Sequence, residues 1–202
     1  IRGSKIFSQL YYIILHEADF AQILYESRDG LRMNWTGLCS RIFNFLRLSV
    51  LSPSHLRKVG ASRRVLKKLR GFASSGQDGH GSRIFGYLRK IDPYLFEELV
   101  LSALEDRGHF VLRNTRYSGD GGLDGKVRYQ GLWRPIQCKR YSLHVNPRHL
   151  LDFEQELRFR NTTGLFVHCG KTGKASFQAM KKSRTRVISG EKLLQLLLEP
   201  RQ

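Results

Sequence analysis

Asp124, in SGDGGLDG, and Gln137-Cys138-Lys139, in RPIQCKRY, are residue types that together can cut a phosphodiester bond. A carboxylate and an amide oxygen are hard ligands for Mg²⁺, which is usually held by one or two carboxylates with water and phosphate completing its shell. An ammonium stabilises the charge that develops on a phosphate under attack. The stretch between the two segments must position these groups. KVRYQ, a turn containing Gly131, and RPI read as a β-hairpin. Symmetric pairing about Gly131-Leu132 sets Asp124 opposite Lys139, and side chains directly across a strand pair share a face. Gln137, two residues from Lys139, lies on that face too. Acid, amide and ammonium are therefore expected together at the open end of a hairpin, around a divalent metal and a water.

Within this set Asp124 is the metal anchor. Gly119, Gly121 and Gly122 precede it and allow a phosphate to approach the backbone closely. Asp120, deeper in the glycine run, ranks second, because such an Asp more often stabilises a turn. Gln137 offers a neutral carbonyl oxygen, and the backbone carbonyl of Cys138 completes the set. The Cys138 thiol alternates to the opposite face and into the core. A second acid comes from the helix that Asp92-Pro93 opens as N-cap and first residue. Glu97 stacks there with Leu101 and Leu104, on an apolar flank facing the sheet, and an acid on that flank needs a metal or a cation as partner. Glu98 stacks with Ser102 and Glu105 on a polar stripe. We therefore choose Glu97; its bland alternative is a partly buried ion pair with an Arg.

Charge around the motif suggests a polyanion. Arg116, Lys126, Arg128, Arg140 and Tyr141 surround it, interleaved with Tyr117 and Tyr129. Lys171 and Lys174 flank a Gly-containing turn that suits a phosphate, although the spacing of a P-loop is absent. His144, His149 and His168 share no ligand spacing and read as structural or surface residues, with His168 in an apolar strand close to the site. The whole chain carries a formal net charge of +18 and a pI near 10.3. That excess speaks about partners rather than fold, and with a phosphate-cleaving motif it favours nucleic acid over a ribosomal or membrane-surface role. Cys39, Cys138 and Cys169 lack metal-ligand spacing, so free thiols in a reducing compartment are expected. No membrane segment is expected: IFSQLYYIIL is too short and contains Gln9. The opening IRGS lacks a start Met, as a fragment of a longer protein would.

GFASSGQDGHGSR, residues 71–83, is rich in Gly and Ser and divides the chain. The expected layout is a helical basic region over 1–75, serving DNA binding or dimerisation, a linker over 76–91, and a nuclease domain over 92–202. In the first region, residues 5–26 have helical apolar spacing. Further on, Ser52-Pro53 starts a helix, Gly60 stops it, and Ser62 caps another. Two helices joined at Gly60-Ala61-Ser62 suggest a helix-turn-helix, with Arg63, Arg64, Lys67 and Lys68 as DNA contacts. The competing reading is a basic helix packed on the catalytic domain. After residue 92 the order reads αβββαβαβα, an α/β mixed sheet flanked by helices.

The run from PYLFEELV through SGDGGLDG and IQCKRY to GLFVHCGKTGKA resembles the Mrr-type branch of the PD-(D/E)XK nucleases, over residues 92–199. The resemblance implies the restriction endonuclease-like core and cleavage of DNA by water with Mg²⁺, Mn²⁺ being a possible substitute. It implies Glu97 as the helix acid, Asp124 as the principal metal ligand, Gln137 at the third site position and Lys139 as the catalytic lysine. Gln at the third position occurs within this branch. His168-Cys169 stand where small hydroxyl residues are common. Cutting both strands implies a homodimer or higher oligomer, and restriction of foreign or modified DNA places the protein in a bacterial cytoplasm. Recombination, repair or mobile-element transfer would use the same site. A catalytically inactive DNA-binding module is disfavoured by the retention of Glu97, Asp124 and Lys139.

Overall fold

The computed structural model describes residues 51–75, 79–114, 122–173 and 183–200. The chain divides into two units, Ile1–Leu56 and Arg57–Gln202; the second holds the sheet. Its helices and strands are α1 (Pro53–Ser74, beginning in the first unit), α2 (His80–Leu88), α3 (Pro93–Asp106), β1 (Val111–Arg113), β2 (Gly125–Tyr129), β3 (Leu132–Lys139), α4 (Pro147–Phe159), β4 (Gly164–His168), β5 (Thr185–Ile188) and α5 (Glu191–Leu198). The helical spacing read over 5–26 falls outside the described residues.

The five strands lie in sequence order. β1, β2 and β3 form an antiparallel meander, whereas β3, β4 and β5 run parallel. The change of direction follows from the connections. Two residues join β2 to β3, but parallel β3 and β4 need a crossover, which α4 supplies. The α/β mixed sheet flanked by helices is thus present as expected.

Strand alternation sorts the core into two layers. Ile136, Cys138 and Val167 face a cluster that includes Phe96, Leu99 and Val100 of α3 and Leu193 and Leu197 of α5. Phe166, one residue out of phase with Val167, faces Leu150, Phe153 and Leu157 of α4. Asp92 caps α3 by accepting the Leu95 N–H at 3.0 Å, with Pro93 at the first turn. On the far side Glu154 of α4 fastens that helix to the start of β5. It accepts from the Arg184 N–H at 3.1 Å and from the Thr185 hydroxyl at 2.8 Å. Burial opposes its charge, yet these bonds and those from Ser183 and Arg158 hold its carboxyl down to about 2.

Two expectations fail. Gly60-Ala61-Ser62 is no turn: α1 is one continuous helix of 22 residues. Val59, Ser62, Leu66 and Leu69 bury one stripe of it, and that packing outweighs the roughly 1 kcal/mol a mid-helix Gly costs. Ser62 caps nothing; its hydroxyl bonds back to the Val59 carbonyl at 2.8 Å and meets the Ser102 hydroxyl at 2.9 Å. Nor are residues 80–88 a linker. They form α2, and Ile84 and Leu88, one turn apart, enter the cluster that contains Leu66 and Leu99. The basic segment from Arg57 onward is a helix packed on the nuclease core.

Candidate active site

The β2–β3 hairpin is closed by Gln130 and Gly131, both at positive φ (51° and 76°). Two such residues make the tight turn whose twist matches flanking strands. This fixes the register at Gly125 opposite Ile136 and Tyr129 opposite Leu132. The expected pairing of Asp124 with Lys139 is therefore off by two: the turn sits one residue earlier and Leu132 joins the strand. The Asp124 N–H donates to the Ile136 carbonyl at 2.9 Å, and its Oδ2 accepts the Cys138 N–H at 2.5 Å. Asp124 is thereby bracketed beside Gln137. A slip of two residues preserves alternation, so Gln137 and Lys139 still share a face.

Gln137 is 8% exposed. Its Nε2 donates to the Gly122 carbonyl at 2.6 Å, which orients the amide. Gly122 is at φ 75°, and a Cβ there would lie 2.9 Å from that nitrogen. Position 122 thus requires glycine on both counts. The other end of the amide, Oε1, is buried with no hydrogen-bond partner among the described residues. A buried orphan acceptor costs about 1–3 kcal/mol, so its retention asks for a ligand.

Glu97 of α3 reaches the same place. Burial, then the charge of Asp124, push its carboxyl up to about 8, and Lys139 partly offsets them. Two carboxylates that repel each other and an orphan amide oxygen are hard donors of the kind a divalent ion prefers. Among the described residues no group of three or more His, Cys, Asp or Glu could hold a metal ion. The Cys138 side chain is buried in the core, and burial pushes its thiol well above the ordinary range.

Glu98 is not the solvent-facing neighbour of Glu97 that its stripe suggested. The stripe of Glu98, Ser102 and Glu105 does not face solvent: Glu98 is 1% exposed and Ser102 fully buried. Arg113 of β1 lies along it, donating to Glu98 at 2.7 Å, to Ser102 at 3.1 Å and to both oxygens of Glu105. Burial opposes the guanidinium charge, but Glu105 and Glu98 more than offset this and hold Arg113 above its ordinary range. The ion pair foreseen for Glu97 belongs to Glu98. The signal was in the sequence, as an Arg inside HFVLRN and polar residues spaced four and three apart.

The basic residues fall into two groups. Arg140, Tyr141 and Lys171 lie just past the ends of β3 and β4, where Lys139 pairs with His168. Arg140 donates to the Arg89 carbonyl at 2.6 Å. The Tyr141 hydroxyl meets His149 Nδ1 at 2.6 Å, a contact the sequence did not suggest. His168 is buried beside Tyr141 and Phe166, and burial drives its imidazole down to about 4 despite a bond to Gly170. Lys126 and Arg128 alternate with inward Gly125 and Val127 along β2 and are half-buried. Arg63, Arg64, Lys67 and Lys68 line the exposed side of α1, with Arg63 3.4 Å from Glu105. Arg116, Tyr117, Gly119, Asp120, Gly121 and Lys174 lie outside the described residues.

A solved structure described as MspJI restriction endonuclease in complex with a 27-mer oligonucleotide is similar at 20% identity and a TM-score of 0.43, over 59% of this chain and 32% of that one. The chain thus spans about a third of that protein's length. A search of curated proteins finds no match. The family model for the restriction endonuclease catalytic domain of Mrr type matches residues 88–197, more than half of the chain and all of the elements that hold Glu97, Asp124, Gln137 and Lys139. The chain belongs to the Mrr-type restriction endonuclease family, within the PD-(D/E)XK nucleases.

Proposed function

We propose that this protein is a metal-dependent DNA endonuclease that hydrolyses phosphodiester bonds in the restriction of foreign or modified DNA in a bacterial cytoplasm. The observation that carries the reading is the buried Oε1 of Gln137, unpartnered among the described residues, beside the Glu97–Asp124 carboxylate pair. Asp124, Glu97, Gln137 Oε1 and the Cys138 carbonyl would hold Mg²⁺, or Mn²⁺ in its place. A divalent ion there supplies Lewis acidity toward the phosphate and lowers the pKa of a bound water. The chain's own groups do the rest. The Cys138 N–H and the Gly122 carbonyl fix the Asp124 carboxylate and the Gln137 amide in place. Lys139, at the end of β3, places an ammonium where charge grows on the phosphate. Arg140, Tyr141 and Lys171 at the same edge of the sheet, and Arg63, Arg64, Lys67 and Lys68 on α1, contact the DNA backbone. One chain carries one such site, so cutting both strands calls for a homodimer or higher oligomer. Among the described residues no helix is long and apolar enough to cross a membrane.

The test is incubation with supercoiled, linear, branched and methylated DNA, each with Mg²⁺, Mn²⁺ or EDTA. Cleavage with the metals and none with EDTA is expected. Preference for methylated or unmodified duplex supports restriction, whereas preference for branched DNA moves the role to recombination or repair. Cleavage undiminished in EDTA overturns the metal site.

A further inference from the structure

Immediately after Lys139 the chain leaves β3 through Arg140-Tyr141-Ser142-Leu143-His144 before α4 begins. Leu143 is 69% exposed. A single exposed leucine is ordinary, but three observations set this one apart. First, its backbone is clamped. The Lys171 N–H donates to the Leu143 carbonyl at 2.8 Å, the Val145 N–H donates to the Lys171 carbonyl at 3.1 Å, and His144 bridges Lys171 in parallel. Gly170 is pressed so closely against this loop that a Cβ there would lie 2.8 Å from the Leu143 carbonyl oxygen and 2.8 Å from Tyr141 Cβ. Second, its surroundings are basic. Residues 139–151 contain Lys139, Arg140 and Arg148 and no acid, and Lys171 stands exposed across the bridge. Third, it stands at the carboxyl ends of parallel β3 and β4, the end of the sheet that carries Lys139.

An apolar side chain carried on a clamped backbone among cations suits double-stranded DNA, whose phosphates meet the cations while its stacked bases accept the leucine. We propose that Leu143 is a wedge that enters a base step of the duplex next to the scissile phosphate, unstacks it and bends the DNA toward the metal site. Leucine is among the residues that proteins insert in this way, and the unstacking is offset by the added contact that bent DNA permits. A fixed backbone means little further order is lost on insertion. The inference rests on the nuclease reading and adds to it a residue that distorts the substrate without touching the reacting atoms.

The experiment uses the full chain with Ca²⁺ replacing Mg²⁺. The probe is a short duplex labelled at both ends for fluorescence energy transfer, with 2-aminopurine in place of adenines along its length. Wild type is expected to shorten the end-to-end distance and brighten 2-aminopurine. Leu143→Ala and Leu143→Ser should lose both signals and bind about tenfold more weakly, the loss expected for one leucine no longer buried. Their melting temperature should stay at the wild-type value, because the side chain is exposed. The dependence of affinity on salt should also stay unchanged, because no phosphate contact is removed. Leu143→Phe should retain the brightening. Wild-type signals in Leu143→Ala, or a wild type that binds but leaves the duplex straight and stacked, overturn the wedge and leave the nuclease reading standing. Unchanged DNA signals with a smaller sedimentation coefficient in Leu143→Ala also overturn it, and assign the leucine to contact with a second copy of the chain. A wild type that binds no duplex at all removes the nuclease reading, and the wedge with it.

Discussion

At the scale of single residues, two neighbouring glutamates on one helix have opposite tasks. Glu97 faces Asp124 and Lys139, whereas Glu98 is sealed under the helix against Arg113. Glu97→Gln should slow cleavage strongly and leave the melting temperature near wild type. Glu98→Gln should do the reverse, because it weakens a buried ion pair; removing a partner from such a pair costs about 3–5 kcal/mol. Paired assays of cleavage rate and thermal unfolding check this, and Glu98→Gln with wild-type stability would contradict it. Asp124→Ala and Lys139→Ala should each abolish cleavage while DNA binding persists. A pH dependence follows as well. Burial and Asp124 raise Glu97 to about 8, so without metal this carboxyl is mostly protonated at neutral pH. Its raised value favours the metal-free fold at low pH, and that contribution is lost as pH rises from about 4.5 to about 8. Metal binding needs the ionised form and so releases a proton below about pH 8. Calorimetry of Mg²⁺ binding in buffers of different ionisation enthalpy should show that release, and Glu97→Gln should abolish it. Residue types and spacing brought Asp124, Gln137 and Lys139 forward as candidates, whereas the choice of Glu97 over Glu98 leaned on a stripe that is buried. The role of Arg113 was signalled only by an Arg in HFVLRN, and a polar stripe on a helix reads as a solvated face until its partner from another strand is seen.

At the scale of elements, turn chemistry and helix breakers carried the sequence reading, and both misled where two signals competed. Gly131 marked the hairpin, but whether it stood first or second in the turn set the register, and Gln130 at positive φ decided it. The shared face of Gln137 and Lys139 survived because side chains alternate with period two. The helix break at Gly60 did not survive, because buried contacts at Val59, Ser62, Leu66 and Leu69 span it. Gly60→Ala distinguishes the two outcomes. A Cβ at position 60 would lie 3.6 Å from its nearest neighbour, an Arg64 nitrogen, which is ordinary contact. Within a continuous helix the change should stabilise the protein by up to about 1 kcal/mol. Destabilisation in denaturant unfolding would instead favour a turn at that position.

At the scale of the whole molecule, a net charge of +18 predicts affinity that falls linearly with the logarithm of salt concentration, by about 0.9 per phosphate neutralised. Replacing Arg63, Arg64, Lys67 and Lys68 together by Ala should make that slope shallower and weaken all duplex sequences alike, because such contacts position without reading bases. Filter binding across a salt series checks it; an unchanged slope would leave α1 a purely structural helix. The same helix bears on where this protein can be cut. The family match begins at residue 88, yet Leu66, Leu69 and Ile84 lie in one apolar layer with Phe96 and Leu99. A gene trimmed to the family boundary would encode a polypeptide with one side of its interior facing water, prone to clump in the expression host. The smallest soluble unit therefore begins upstream of the catalytic signature, in sequence that carries no signature of its own.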